Sequence, residues 1–175
     1  MDKKRIAWAI TGAGHVLEEC IETALNYEGV DIFLSRAAEE VMRRYRLNAH
    51  LEVPKVRIYE EHKSSSPLVE RLFSGDYCVL VVAPATTNSV AKFVHGISDS
   101  LPTNLFAQAG KSRVPIIVYP TDLAPEMDSR GPKGEPLKIY PRPIDLENTA
   151  KLRAFPGVTV VGNREELEKQ LAAHI

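Results

Sequence analysis

Cysteine is scarce: Cys20 and Cys78 are the only two in 175 residues. They stand singly, one in an apparent helix and one in an apparent strand, so the chain has no CxxC pair and no ligand set for zinc or an iron-sulfur cluster. Both are read as buried thiols. Long apolar runs are lacking as well. The stretch after the basic start MDKKR is only about six residues and runs into a glycine turn, too short for a secretory segment and far too short for a membrane span. A cytoplasmic protein with no membrane partner is expected. Charge of one sign is also missing: 22 Lys+Arg stand against 23 Asp+Glu, a net charge of -1. That balance removes the basic footprint nucleic-acid binding usually needs, so no nucleic-acid partner is expected.

What is present is alternation. Apolar runs bounded by turn signals predict strands over Arg5 to Thr11, Val30 to Ser35, Val56 to Tyr59, Tyr77 to Ala83, Val114 to Tyr119 and Val158 to Val161. Helical patterns fall between them: Gly14 to Tyr27, Ala37 to Tyr45, Pro67 to Phe73, Thr86 to Val94, Thr103 to Ala109, and a last one after Asn163 through Leu171. Asn163 with Glu166 has capping-box spacing. The pattern implies a single α/β domain over residues 1–175, built on a parallel sheet of about six strands. YCVLVVA, the most continuously apolar segment, belongs at its centre. Pro120 to Asp145 resists the pattern, with six prolines and two glycines. A stretch of that length is either a functional cover or disordered.

A strand, a glycine turn and a helix form at ITGAGHV, the arrangement that holds a nucleotide phosphate. The dinucleotide fingerprint fails twice: Leu17 stands where the third glycine belongs, and Ser35 and Arg36 replace the ribose-binding acid. A variant NADP site using Arg36 is one alternative. The other is a terminal phosphate held by the amides of Gly12, Ala13, Gly14 and His15 and the Ser35 hydroxyl, with Arg36 nearby, which makes a mononucleotide site. The ligand of an open α/β sheet lies beyond the carboxyl ends of the strands where the connections reverse, so the fourth strand adds its own loop. There Thr86, Thr87 and Asn88 offer the mixed donors and acceptors that suit an isoalloxazine edge. The alternative is that they cap the next helix.

APATTNSVAKFVHGISDSLPTNL resembles the P-A-S-A-N-T and G-I-x-D-x-L signature of the homo-oligomeric flavin-containing cysteine decarboxylase superfamily. IAWAITGAGH, FLSRAAEEV and RPIDLENTAKLRAFPGVTVV are most similar to its archaeoflavoprotein and dihydromethanopterin reductase branch. The resemblance implies a flavodoxin-like or Rossmann-like fold with helices on both faces, bound FMN, and assembly into trimers or larger shells. It puts the phosphate turn on Thr11 to His15, the phosphate hydroxyl on Ser35 and the flavin-edge loop on Ala85 to Asn88. Asp99 and Ser100 fall in the segment that approaches the flavin, often from a neighbouring subunit. Two departures exclude decarboxylation: Leu68 stands where the decarboxylases have their catalytic histidine, and YPTDLAPEMDS replaces their substrate clamp. His62 is read as a surface histidine. The prenyl-FMN synthases are a distant alternative, since their prenyl-phosphate motif after the fifth strand is not visible. An FMN domain without decarboxylase groups implies a reductase that takes a hydride from NADH or NADPH and reduces a dihydropterin. The other reading is an electron carrier served by a ferredoxin-like protein. His15 is read as a phosphate-binding or capping residue, or else a proton donor.

Overall fold

The computed structural model describes residues 4–51, 53–54, 56–61 and 71–175. Six strands form one parallel sheet: β1 (Arg5–Ile10), β2 (Val30–Leu34), β3 (Arg57–Glu60), β4 (Tyr77–Ala85), β5 (Ile116–Pro120) and β8 (Val158–Val160). Their order is β3-β2-β1-β4-β5-β8. The chain thus works outward from β1 to one edge, then restarts at β4 and works outward to the other, leaving its reversal between β1 and β4. Residues 81–85 of β4 are all buried.

Alternate residues of β1 face opposite layers. Trp8 and Ile10 join one core with Leu17, Ile21, Met42 and Leu171, drawn from α1 (Leu17–Leu25), α2 (Arg36–Tyr45) and α6 (Arg164–Ala172). Ala7 and Ala9 face the other core with Val90, Phe93, Leu105 and Leu152, from α3 (Thr87–His95), α4 (Leu101–Ser112) and α5 (Pro143–Leu152). Two alanines on the strand leave room there for the stacked rings of Phe93 and Phe106, 4.1 Å between centroids. Trp8 is fully buried, and its indole N–H donates to the Ala83 carbonyl at 2.8 Å.

At the amino ends of the strands the Asp31 carboxylate is fully buried and fully engaged. Arg5 Nε donates to it at 2.9 Å and the Tyr77 hydroxyl at 2.8 Å, with Arg71 beside them. Burial and the neighbouring carboxylate push the Tyr77 phenol well above its ordinary range. This pairing lets a charge sit inside the sheet at the end remote from the candidate site.

Four expectations change. Pro120 to Asp145 is neither irregular throughout nor one loop: it contains an antiparallel hairpin, β6 (Met127–Arg130) and β7 (Pro136–Ile139), and the start of α5. The α5 helix went unread because its charged and polar residues mask the apolar period, although Pro143 at its first turn and Asp145 bonding back to the Arg142 amide at 3.0 Å are start signals. Cys78 is only half-buried, and its thiol donates to the Arg5 carbonyl at 3.4 Å; Cys20 is fully buried. At Asn163 the cap forms on the Glu166 amide, but the Glu166 carboxylate takes the Gly162 amide, so the box is half closed. The expected helix at Pro67 to Phe73 lies outside the described residues up to residue 70, and residues 71–73 form a turn. Leu68 and His62 also lie outside them.

Candidate functional site

β1 ends at Ile10, and the chain turns through Thr11 to His15 before α1 begins at Leu17. Thr11 ties this turn to the loop after β4. Its hydroxyl donates to the Pro84 carbonyl at 2.8 Å and accepts from the Thr86 amide at 2.8 Å. With Thr11 only 2% exposed, that side chain joins the two loops flanking the reversal. Ala13 bonds back to the Thr11 carbonyl. Among the described residues, the amides of Gly12, Gly14, His15 and Val16 donate to no protein acceptor. Unspent N–H groups at the start of a helix are what an anion-binding turn requires. Val16, at the N-cap, holds φ at 52°, an uncommon conformation for a β-branched residue and one that marks strain at this turn.

Space explains both glycines. A Cβ on Gly12 would stand 2.5 Å from the Cβ of Ala37, so glycine lets the turn lie against the first turn of α2. A Cβ on Gly14 would meet the Tyr45 ring, which lies over the turn from the far end of α2. The same approach brings Ser35 to the site. Its hydroxyl is nearly buried and accepts from the Ala38 amide at 3.0 Å, making it the N-cap of α2. Arg36 is exposed, and its amide donates to Glu61 Oε2 at 2.8 Å. The other oxygen of Glu61 accepts from the Leu101 amide at 2.9 Å. One carboxylate thereby joins the starts of α2 and α4, whose N-caps are Ser35 and Ser100, within a single chain.

The loop after β4 is divided in its roles. The Ala85 carbonyl accepts from Thr121 at 2.9 Å. Thr86 caps α3 through the Ser89 amide at 3.2 Å, so its hydroxyl serves the helix. Thr87 is half-buried and Asn88 exposed. Asp99 is not drawn in: it is exposed and pairs with Lys92 at 2.8 Å.

Several site residues escaped the sequence reading. His15 Nδ1 lies 3.0 Å from Ser129 Oγ, and the Tyr45 hydroxyl donates to the Arg130 carbonyl at 3.2 Å. The hairpin is therefore bonded to the turn and to α2. Burial lowers the His15 pKa, against the charges of Asp122 and Glu19. Asp122 follows β5, and burial raises its carboxyl, opposed by the Thr121 hydroxyl. Applying the carboxyl-end rule to the fifth strand as well as the fourth would have found Asp122. Tyr45, Glu61 and Ser129 carry no sequence signal, because tertiary folding alone brings them in.

A family model described as Flavoprotein matches residues 1–173. The chain belongs to the Flavoprotein family. Its relatives include an uncharacterized protein of Methanocaldococcus jannaschii, 37% identical over 98% of this chain and 96% of that protein. A dihydromethanopterin reductase (acceptor) of Methanosarcina mazei is 40% identical over 75% of this chain; the chain spans 61% of that reductase's length. Among solved structures, DmrB of Burkholderia xenovorans in complex with FMN, described as a cubic protein cage for redox transfer, superposes with a TM-score of 0.88. It is 39% identical over 98% of this chain and 95% of its own. The resemblance to the dihydromethanopterin reductase branch therefore holds.

Proposed function

We propose that this chain is an FMN-dependent oxidoreductase that reduces a dihydropterin with electrons from NADH or NADPH. The observation that carries the reading is the set of unspent amides at Gly12, Gly14, His15 and Val16, beside Ser35, at the reversal between β1 and β4. Those groups fit one terminal phosphate, and Ser35 and Arg36 stand at the end of β2 where the acid that takes an adenosine ribose belongs. The likeness to DmrB with FMN and to reductases acting on dihydromethanopterin supports it.

FMN, when bound, accepts and passes on hydride equivalents. The amides and the α1 dipole hold its phosphate. The Thr11 bridge keeps the loop at Thr86, Thr87 and Asn88 in register with that phosphate. A hydride added to a ring C=N needs a proton on the nitrogen. Asp122, half-buried just after β5 with its carboxyl raised by burial, is the acid at the strand ends to replace when the source of that proton is tested. Exposed Phe73, Ile97, Tyr140 and Ile144 suit burial against further copies of the chain, consistent with a homo-oligomer.

Anaerobic spectroscopy tests the reading. The purified protein should contain about one FMN per chain, lose its visible flavin absorbance with NADPH, and regain it on adding a dihydropterin. Bound FAD, or no flavin after reconstitution, refutes the cofactor. Reduction by a ferredoxin-like protein but by neither NADH nor NADPH makes the chain an electron carrier.

A further inference from the structure

Next to the phosphate turn lies a cavity of about 510 Å³ between Gly14, His15, Tyr45, Leu47 and the turn of the hairpin. Pro132 lines this cavity and also a second opening of about 680 Å³, walled by Arg44, Arg46, Lys133 and Glu135. The two walls come from separate segments, the last turn of α2 and the hairpin tip, bonded to each other through Tyr45 and Arg130.

The charges in the second opening are unbalanced. None of the ion pairs among the described residues uses Arg44, Arg46 or Lys133. Glu135, the acid among the lining residues, turns back on its own loop and accepts from the Lys133 amide at 2.9 Å. The acids nearby on the hairpin are taken as well: Glu126 and Asp128 pair with Lys138 at 2.7 and 3.0 Å. Three cations held around one concavity repel one another, and an anion seated among them removes that cost. Guanidinium groups match phosphate and carboxylate geometry in particular.

We propose that this opening binds the anionic tail of a redox substrate, with the adjoining cavity beneath the hairpin open to the next part of the molecule. Anion binding stands on the charges alone, whereas naming the bearer a redox substrate rests on the function proposed above. Phosphate on a nicotinamide donor and carboxylate on an acceptor tail share this chemistry.

Calorimetric titration of the FMN-loaded protein separates the two sources, since loading keeps probes off the phosphate turn. Adenosine 2′,5′-bisphosphate stands for the donor and tricarballylate for a carboxylate tail. One of them should bind, and Arg44→Glu together with Lys133→Glu should weaken it about tenfold or more, with FMN content unchanged. Arg46→Asn is the gentler third variant, because Arg46 has φ 58° and asparagine tolerates that conformation. Binding should also weaken as salt rises. Failure of both probes to bind overturns the proposal. So does a lower melting temperature in Arg44→Glu with unchanged probe affinity, which would make these cations partners of the α2 C-terminus and nothing more. Neither readout depends on turnover, so a failed reductase assay leaves this test intact.

Discussion

Gly12→Ala puts the close approach of the turn to α2 under direct stress. The added Cβ would stand 2.5 Å from Ala37 Cβ and 3.2 Å from the Ala37 carbonyl carbon. Carbon atoms sit comfortably about 3.5 to 4.0 Å apart, so the turn must retreat by roughly 1 Å. Both neighbours are backbone or a Cβ, with no flexible side chain to yield. Overpacking of this kind costs about 1 to 3 kcal/mol of stability. The retreat also carries the amides off a phosphate they would meet at about 2.9 Å. Losing a single charge-assisted hydrogen bond, worth about 1.5 to 3 kcal/mol, raises the FMN dissociation constant on the order of tenfold to a hundredfold. Flavin fluorescence titration measures the affinity and thermal melting the stability. Ala37→Gly added to Gly12→Ala removes the shorter contact and leaves one that a shift of a few tenths of an ångström relieves. The double variant should recover most of the affinity, less about 1 kcal/mol of stability for glycine in a helix. Wild-type affinity in Gly12→Ala, or no recovery in the double variant, refutes the reasoning.

Other outcomes follow from the same structure. Ser35→Ala should lose about 1 kcal/mol as a helix cap and also weaken FMN, so melting and fluorescence titration should move together. Asp31→Ala leaves Arg5, Arg71 and Tyr77 facing an empty place and should cost about 3 to 5 kcal/mol in urea unfolding, with FMN affinity unchanged in the folded protein. His15 has a lowered pKa when folded, so below its unfolded value near 6.5 the unfolded chain takes the proton first and stability falls with pH. His15→Asn should flatten that decline between pH 7.5 and 5.5 in denaturant midpoints. Asp122 acts in the opposite direction, its raised carboxyl giving up stability as pH rises through the folded value, and because its charge acts on His15 the comparison is made in an Asp122→Asn background as well. Phosphopantothenoylcysteine incubated anaerobically with the FMN-loaded protein should release no carbon dioxide above the flavin-free control.

The sheet was legible because β1, β4 and β5 are apolar on both faces and bounded by turns, whereas the reversal between β1 and β4 was not, since the same strand count fits more than one order. The phosphate turn was legible for the same local reason: ITGAGH is a continuous signal. Glycine's purpose was not, since Ala37 is distant in sequence from Gly12 and reaches it only through α2. Thr11 and Thr86 looked like ligand groups, whereas their hydroxyls serve the Pro84 carbonyl and the Ser89 amide. A hydroxyl's partner is a tertiary fact. The hairpin escaped because proline and glycine density hides a two-stranded ladder as short as Met127–Arg130 against Pro136–Ile139.

The hydrogen bond between His15 and Ser129 joins residues far apart in the chain, and that separation sets an order of events during synthesis. On the ribosome the glycine turn emerges early but lacks its anchor until Pro84 and Thr86 have followed, since β1 cannot pair with β4 before then. Once that central pair has closed, the turn is braced yet still uncovered, because Ser129 and Arg130 have not been made. Between those two moments the nascent chain has the turn and its Thr11 anchor but not yet the hairpin that bonds to His15 and Tyr45.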